Sequence, residues 1–223
     1  STIHESIHSE ARMSKAAVTE KLFIEGPAVR LEAILESPDE PTGCAVVCHP
    51  HPQHGGTMHN KVAHTLARAF VRSGFATLRF NFRGTEGSEG EYDAGNGELD
   101  DALAAIHWIS ERHPDVPIWL AGFSFGAAIA AIAGGREPLD GLITVAPAIT
   151  RVAPAMTVQP ECPWLIVQGD EDELVDVDET IAWVDSLEPG PELLVIEGGE
   201  HFFHGRLIDL REASVEFIAR NSA

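Results

Sequence analysis

The chain has 223 residues, 44% of them apolar, which is enough for one well-buried core and too few for two comfortable domains. Thirty-five Asp and Glu against fifteen Lys and Arg leave a formal charge of −20, so nucleic-acid phosphates and anionic lipid surfaces should repel it. No apolar run reaches the ~20 residues of a membrane span, and neither nucleic acid nor membrane is expected as a partner.

Residues 1–18 read as a polar lead-in, with His4, Glu5, His8, Glu10, Arg12 and Lys15 breaking up the apolar stretch a secretory leader needs. Met13 reads as a candidate start. Residues 19–223 form the single expected domain. Lys21 to Glu25 and Val29 to Leu35 alternate in polarity around a turn at Gly26-Pro27, the pattern of an antiparallel hairpin at a sheet edge. Gly43 to Cys48 is continuously apolar and suits a strand covered on both faces. Cys44 and Cys48, four positions apart on that strand, would sit about 13 Å apart, beyond disulfide reach. With three cysteines in all, no disulfide framework follows, and a cytoplasmic, reducing location is expected.

The loop His49-Pro50-His51-Pro52-Gln53-His54-Gly55-Gly56 comes next. Helical spacing of Val62, Ala63, Leu66, Ala69 and Phe70 predicts a helix over 60–73, stopped by Gly74. Phe75 to Phe82 predicts a strand, Arg83 to Gly90 a glycine-rich loop, and 97–112 a helix with Leu99, Leu103, Ile106 and Ile109 inward. Buried strands follow at 142–146 and 164–167. Between them, 147–163 is broken by Pro147, Pro154, Pro160 and Pro163 and leaves no room for a lid domain. A helix over 178–187, a strand over 193–196 and a helix over 207–220 close the chain. Strands alternating with amphipathic helices predict an α/β fold, a mostly parallel central sheet with helices on both faces.

The chemistry centres on Ile118 to Phe123, an apolar strand running through Gly122-Phe123-Ser124-Phe125-Gly126 into the Ala-rich segment after it. Strand, glycine-flanked serine and helix are the form of a nucleophile elbow. Side chains at 122 and 126 would collide with the neighbouring strand and helix, and the helix N-terminus favours the negative charge of an attacked carbonyl. In open parallel sheets, ligands gather beyond the carboxyl ends of strands. Two further loops there carry Gly169-Asp170-Glu171-Asp172-Glu173-Leu174-Val175 and Glu197-Gly198-Gly199-Glu200-His201-Phe202-Phe203-His204.

A serine hydroxyl becomes a nucleophile only when an imidazole takes its proton, and a carboxylate fixes the imidazole's tautomer. The assignment is therefore Ser124 nucleophile, His201 base and Asp172 orienter, in the Ser, Asp, His order of one known triad class. Asp170 is the alternative acid, nearer the strand and equally suited to capping the loop. His204 is the alternative base, Glu171 and Glu173 read as solvated, and His107 and His113 as helix-surface histidines. For the oxyanion the Phe125 amide is the first donor expected. The second is the His51 amide, because Pro50 and Pro52 have no N–H, with His49 bracing the loop instead. His49, His51, His54 and His59 also permit a metal reading, but alternating prolines splay neighbouring imidazoles and nothing completes a ligand set, so no metal is expected. Cys48 beside His49 reads as a small buried hydrophobe rather than a thiol nucleophile.

Gly122-Phe123-Ser124-Phe125-Gly126, Gly169-x-x-Asp172-x-x-Val175 and Gly199-x-His201-Phe202-Phe203 together resemble the α/β-hydrolase superfamily over roughly residues 20–220. His49-Pro50-His51-Pro52-x-x-Gly55-Gly56-Thr57-Met58, Asn81-Phe82-Arg83-Gly84 and His201 to Leu207 are similar to a small lidless bacterial subgroup related to dienelactone hydrolases and serine aminopeptidase-type hydrolases. The resemblance implies a serine hydrolase without cofactor. The open, lidless site favours a small-molecule carboxylic ester over long lipid chains, and the acidic surface disfavours polyanionic substrates. Amidase, peptidase or thioesterase chemistry and a non-catalytic binding role are the rival readings. Two departures stand out. Thr85-Glu86 replaces an apolar residue and a further glycine, and Pro50 replaces a more usual glycine. Because dienelactone hydrolases proper use cysteine where this chain has Ser124, their substrate is not inherited.

Overall fold

The computed structural model describes residues 17–222; Met13 and the expected lead-in through residue 16 lie outside the described residues. Eight strands form one sheet: β1 (Val18–Glu25), β2 (Arg30–Ser37), β3 (Gly43–Cys48), β4 (Phe75–Phe80), β5 (Ile118–Phe123), β6 (Gly141–Val145), β7 (Trp164–Gly169) and β8 (Glu192–Ile196). Their spatial order is β1-β2-β4-β3-β5-β6-β7-β8. The β1–β2 hairpin and the β2–β4 pairing are antiparallel, and every pairing from β4 to β8 is parallel. The chain leaves β3 toward β4 on one side and returns to β5 on the other. Connections diverge at β3, and that is where such sheets open a crevice at their carboxyl edge.

The two faces of each central strand are sorted by parity. Cys44, Val46 and Cys48 face one apolar cluster, and Ala45 and Val47 face the other. Both sets are buried, so β3 reads as an unbroken apolar run rather than an alternation. Helices α1 (Lys61–Arg72) and α6 (Leu207–Asn221) cover the second cluster, where the fully buried Trp119 packs edge-on to Phe70 and Phe217 at 6.0 and 5.8 Å. Helices α2 (Asn96–Arg112), α3 (Phe125–Gly134), α4 (Ile149–Ala155) and α5 (Val177–Asp185) cover the first. Among the described residues no helix is long and apolar enough to cross a membrane.

Helix starts follow local chemistry. Asn60 Oδ1 accepts the Val62 and Ala63 amides at 2.9 and 3.1 Å to begin α1, as an N-cap should. At α2 the buried Glu98 carboxylate reaches back to accept the Gly95 and Asp93 amides, each at 2.9 Å. The sequence expectation differs from the structure at α4, a helix of about two turns inside the proline-rich stretch 147–163. Pro154 sits next to its C-terminal end, so the missing amide removes one backbone bond and the turn survives.

Candidate active site

Ser124 sits between β5 and α3 with φ 56° and ψ −111°, a backbone that a side-chain-bearing residue adopts only under constraint. The constraint is visible. Its amide donates to the Val145 carbonyl of β6 at 2.9 Å, and its own carbonyl accepts the Ala128 amide at 3.1 Å. The turn is tight enough that a Cβ on Gly122 would stand 2.2 Å from the Gly126 carbonyl oxygen, and one on Gly126 would stand 2.4 Å from the carbonyl oxygens of Cys48 and His49. Both glycines are therefore needed for close approach, and the second lets α3 press its N-terminus against the loop after β3.

His201 Nδ1–H donates to Asp172 Oδ2 at 2.8 Å, and Ser124 Oγ–H donates to His201 Nε2 at 3.1 Å. The imidazole is held edge-on to Phe202 and tilted against Phe123, with ring centroids 5.1 and 5.0 Å away. Asp172 has a fully buried side chain. Its Oδ1 accepts the Leu174 and Val175 amides, each at 2.8 Å, and its Oδ2 also accepts Gln168 Nε2–H at 3.2 Å. Burial pushes this carboxyl up, but the hydrogen bonds from His201 and the two amides outweigh it and hold the group below its ordinary range. Asp172 therefore stays an acceptor toward His201 Nδ1–H and leaves Nε2 free to take the serine proton.

The alternatives lie elsewhere. Asp170 Oδ1 accepts the Gly198 amide at 2.8 Å and ties the two loops together. His204 is exposed and pairs with Glu200. His107 pairs with Glu137 at 2.7 Å on the surface, and His113 caps the C-terminus of α2. Glu173, expected to be merely solvated, accepts the His201 amide at 3.3 Å, so it helps seat the loop. Gln168 has no motif to announce it, yet its buried amide spans Asp172, the Val175 carbonyl and Thr180 at 3.2 to 3.3 Å.

Of the four histidines of residues 49–59, His49 and His59 point to separate partners, whereas His51 and His54 stack on each other, against the expectation that the prolines splay neighbouring rings. His49, fully buried, donates from Nδ1 to the Pro50 carbonyl at 2.6 Å and accepts the Phe82 amide on Nε2 at 3.0 Å. Burial holds its pKa down at about 4, the Pro50 bond opposing only weakly. It is a neutral brace between the loops after β3 and β4. His51 stacks on His54 with centroids 4.1 Å apart, and His59 stands 4.0 Å from Glu86. Among the described residues no three His, Cys, Asp or Glu side chains gather as a metal set. Cys48 is buried, its thiol pushed far up by desolvation and then by the Asp101 charge, while Cys44 is pushed to about 12. Neither yields thiolate readily.

Ser124, Phe125 and His51 all border one cavity of about 730 Å³. Phe125 opens α3, where first-turn amides have no partner within the helix. Residues 41–160 match the model of the family described as Serine aminopeptidase, S33. A serine hydrolase homologue from Coxiella burnetii superposes with a TM-score of 0.83 at 45% identity, covering 88% of this chain and 96% of that one. A lidless α/β serine hydrolase from Xanthomonas campestris gives 0.84 at 39% identity over 91% and 94%. An uncharacterised protein of Rickettsia prowazekii is 32% identical over 211 residues, 89% of this chain and 88% of that protein.

The chain belongs to the serine aminopeptidase S33 family of α/β serine hydrolases. In this hydrolase the rim departs from the superfamily pattern in an instructive way. Glu86, standing where a glycine is common, keeps a positive φ of 45°. The loop is anchored at its start: Arg83 forks onto Asp101 at 2.8 to 3.2 Å, and the buried Asn81 accepts the Met58 amide at 2.8 Å while donating to Glu32 at 2.9 Å. No lid domain is inserted after β6, and the short α4 there forms part of the cavity wall.

Proposed function

We propose that this protein hydrolyses small carboxylic esters through an acyl-enzyme on Ser124. One observation carries the reading: the hydroxyl, imidazole and carboxylate of Ser124, His201 and Asp172 are linked by hydrogen bonds of 3.1 and 2.8 Å beside a cavity. Ser124 Oγ attacks the ester carbonyl as its proton passes to His201 Nε2, and Asp172 steadies the imidazolium. The oxyanion is received by the amides of Phe125 and His51, helped by the positive end of α3. As the tetrahedral intermediate collapses, the C–O bond breaks and His201 returns the proton to the leaving alcohol. Water then gives a proton to His201 as it attacks the acyl carbon, and when the acyl–Oγ bond breaks His201 returns that proton to Ser124 Oγ, releasing the acid and the free hydroxyl.

The family description favours a second reading, cleavage of an amide at a free amino terminus. The charged residues bordering the cavity are Arg136, Arg151 and Glu179, a set without the cluster of carboxylates that would receive a substrate ammonium, which supports the ester. Two measurements decide. Ser124→Ala should lower kcat on p-nitrophenyl butyrate by ~10³-fold or more and abolish labelling by a fluorophosphonate; equal rates for the two proteins would remove the proposal. The same butyryl group offered as a p-nitroanilide should be cleaved far more slowly, and a faster anilide would transfer the assignment to the peptidase class.

A further inference from the structure

We infer that the ester cleaved at this site carries a carboxylate or a comparable single anionic group, received by Arg151 together with the Tyr92 hydroxyl. The inference rests on the hydrolase reading above and names its substrate class. The chain holds 35 acidic side chains against 15 basic ones, yet two of the three charged residues bordering the cavity are arginines. Arg30, Arg68, Arg72, Arg79, Arg83 and Arg220 each meet a carboxylate at 2.8 to 3.4 Å. Among the described residues Arg112, Arg136, Arg151 and Arg206 meet none, although acids outnumber bases more than twofold. Of these four, Arg151 both borders the cavity and lies over the ring of Phe125, the residue after Ser124.

It is nonetheless held in place. Nη1 donates to the Ala94 carbonyl at 2.9 Å, Nη2 donates to Tyr92 Oη at 3.4 Å, and the guanidinium carbon lies 4.8 Å over the Phe125 ring. A carbonyl, a hydroxyl and an aromatic face orient the fork without neutralising its charge, and a guanidinium has five N–H donors to distribute. The Tyr92 hydroxyl is tied to the same network. His51 Nδ1 accepts the Gln53 amide at 3.1 Å, so neutral His51 carries its proton on Nε2 and donates to Tyr92 Oη at 3.1 Å. With Arg151 donating as well, both lone pairs of Oη are engaged and the phenolic proton is left to give. A fixed cation beside an unspent O–H is a receptor for a carboxylate oxygen pair. Phe125, which carries the guanidinium on its ring, directly follows Ser124, so the anion would lie on the same ligand as the scissile carbonyl.

Matched esters test this. The p-nitrophenyl hemi-esters of adipic and suberic acid differ from the hexanoyl and octanoyl esters only by a terminal carboxylate. The field of a −20 protein works against the acids, so a wild-type kcat/KM at least as high for a hemi-ester as for its neutral match is the expected result. Arg151→Met should cut that ratio by about tenfold or more, Arg151→Lys by less, and Tyr92→Phe by a few-fold. A ratio below one in the wild type, or one that Arg151→Met leaves unchanged, overturns the inference while leaving ester hydrolysis standing. If Arg151→Met does not fold, Arg151→Lys and Tyr92→Phe decide the same comparison. If none of the esters is cleaved, the hydrolase reading fails, and calorimetry on Ser124→Ala judges the anion site alone. Monomethyl adipate should then bind at least tenfold more tightly than methyl hexanoate, with the advantage lost on adding Arg151→Met; equal binding of the two overturns the site.

Discussion

Asp172 does two jobs with two oxygens. Oδ1 is saturated by the Leu174 and Val175 amides, and Oδ2 faces His201 Nδ1 and Gln168 Nε2. Asp172→Asn can keep the first job, since an amide oxygen accepts the same two N–H groups. It fails the second, because an NH₂ facing Nδ1 turns the imidazole to the tautomer that protonates Nε2, and Ser124 then has no acceptor. Kcat on a neutral ester should fall by ~10²- to 10⁴-fold while the urea midpoint moves little; a fall of less than threefold would remove Asp172 from the mechanism. The meeting of Ser124, Asp172 and His201 was legible because each lies just past a strand, where side chains in a parallel sheet converge. Gln168, Glu173, Tyr92 and Arg151 were not. Gln168 ends an apolar strand like any capping polar residue, and Arg151 meets Tyr92 across 59 positions, a pairing that no local spacing encodes.

At the scale of elements, apolar runs and helical periodicity placed every strand and five of the six α-helices of the described residues, with ends shifted by a few positions. The exception is α4, where Pro147 and Pro154 read as breakers. A sequence shows that a proline lacks an amide, but not that a helix of 7 residues ends before the loss matters. The elbow is the element most tightly specified, since a Cβ on Gly126 would stand 2.4 Å from two carbonyl oxygens that themselves belong to the strand and loop beside it. Neither oxygen can swing away as a side chain could. Gly126→Ala must therefore push α3 off the loop that carries His51, widening the gap between the two proposed oxyanion donors. The expected result is a lower urea midpoint, by about 1–3 kcal/mol in stability, with kcat lowered by at least tenfold in the fraction that remains folded. Wild-type kcat in a stably folded Gly126→Ala protein would show that the approach of α3 to the loop has no part in the chemistry.

Across the whole molecule, acidification brings two opposing effects. Protonation trims a net charge of −20 and relieves self-repulsion in the compact state. Against this, the fully buried His49 has its pKa lowered from 6.5 to about 4. Above pH 6.5 the imidazole is neutral in both folded and unfolded chains and contributes no pH dependence. Between 6.5 and 4 the unfolded chain binds a proton that the folded chain refuses, so stability is lost as pH falls, and below 4 the loss levels off. The cost amounts to about 2 kcal/mol by pH 5 and about 3 kcal/mol by pH 4. Measuring urea unfolding at pH 7 and pH 5 stays above the carboxylate range, so the histidines dominate the change. His49→Gln carries the same formal charge at pH 7 and so undergoes the same relief of repulsion, and the difference between the two proteins isolates the buried imidazole. The wild type should lose about 2 kcal/mol more than His49→Gln between these two pH values, whatever the substitution costs at pH 7. Parallel losses would mean that His49 is protonated inside the fold, and the bond it accepts from the Phe82 amide could not then be what joins the loops after β3 and β4.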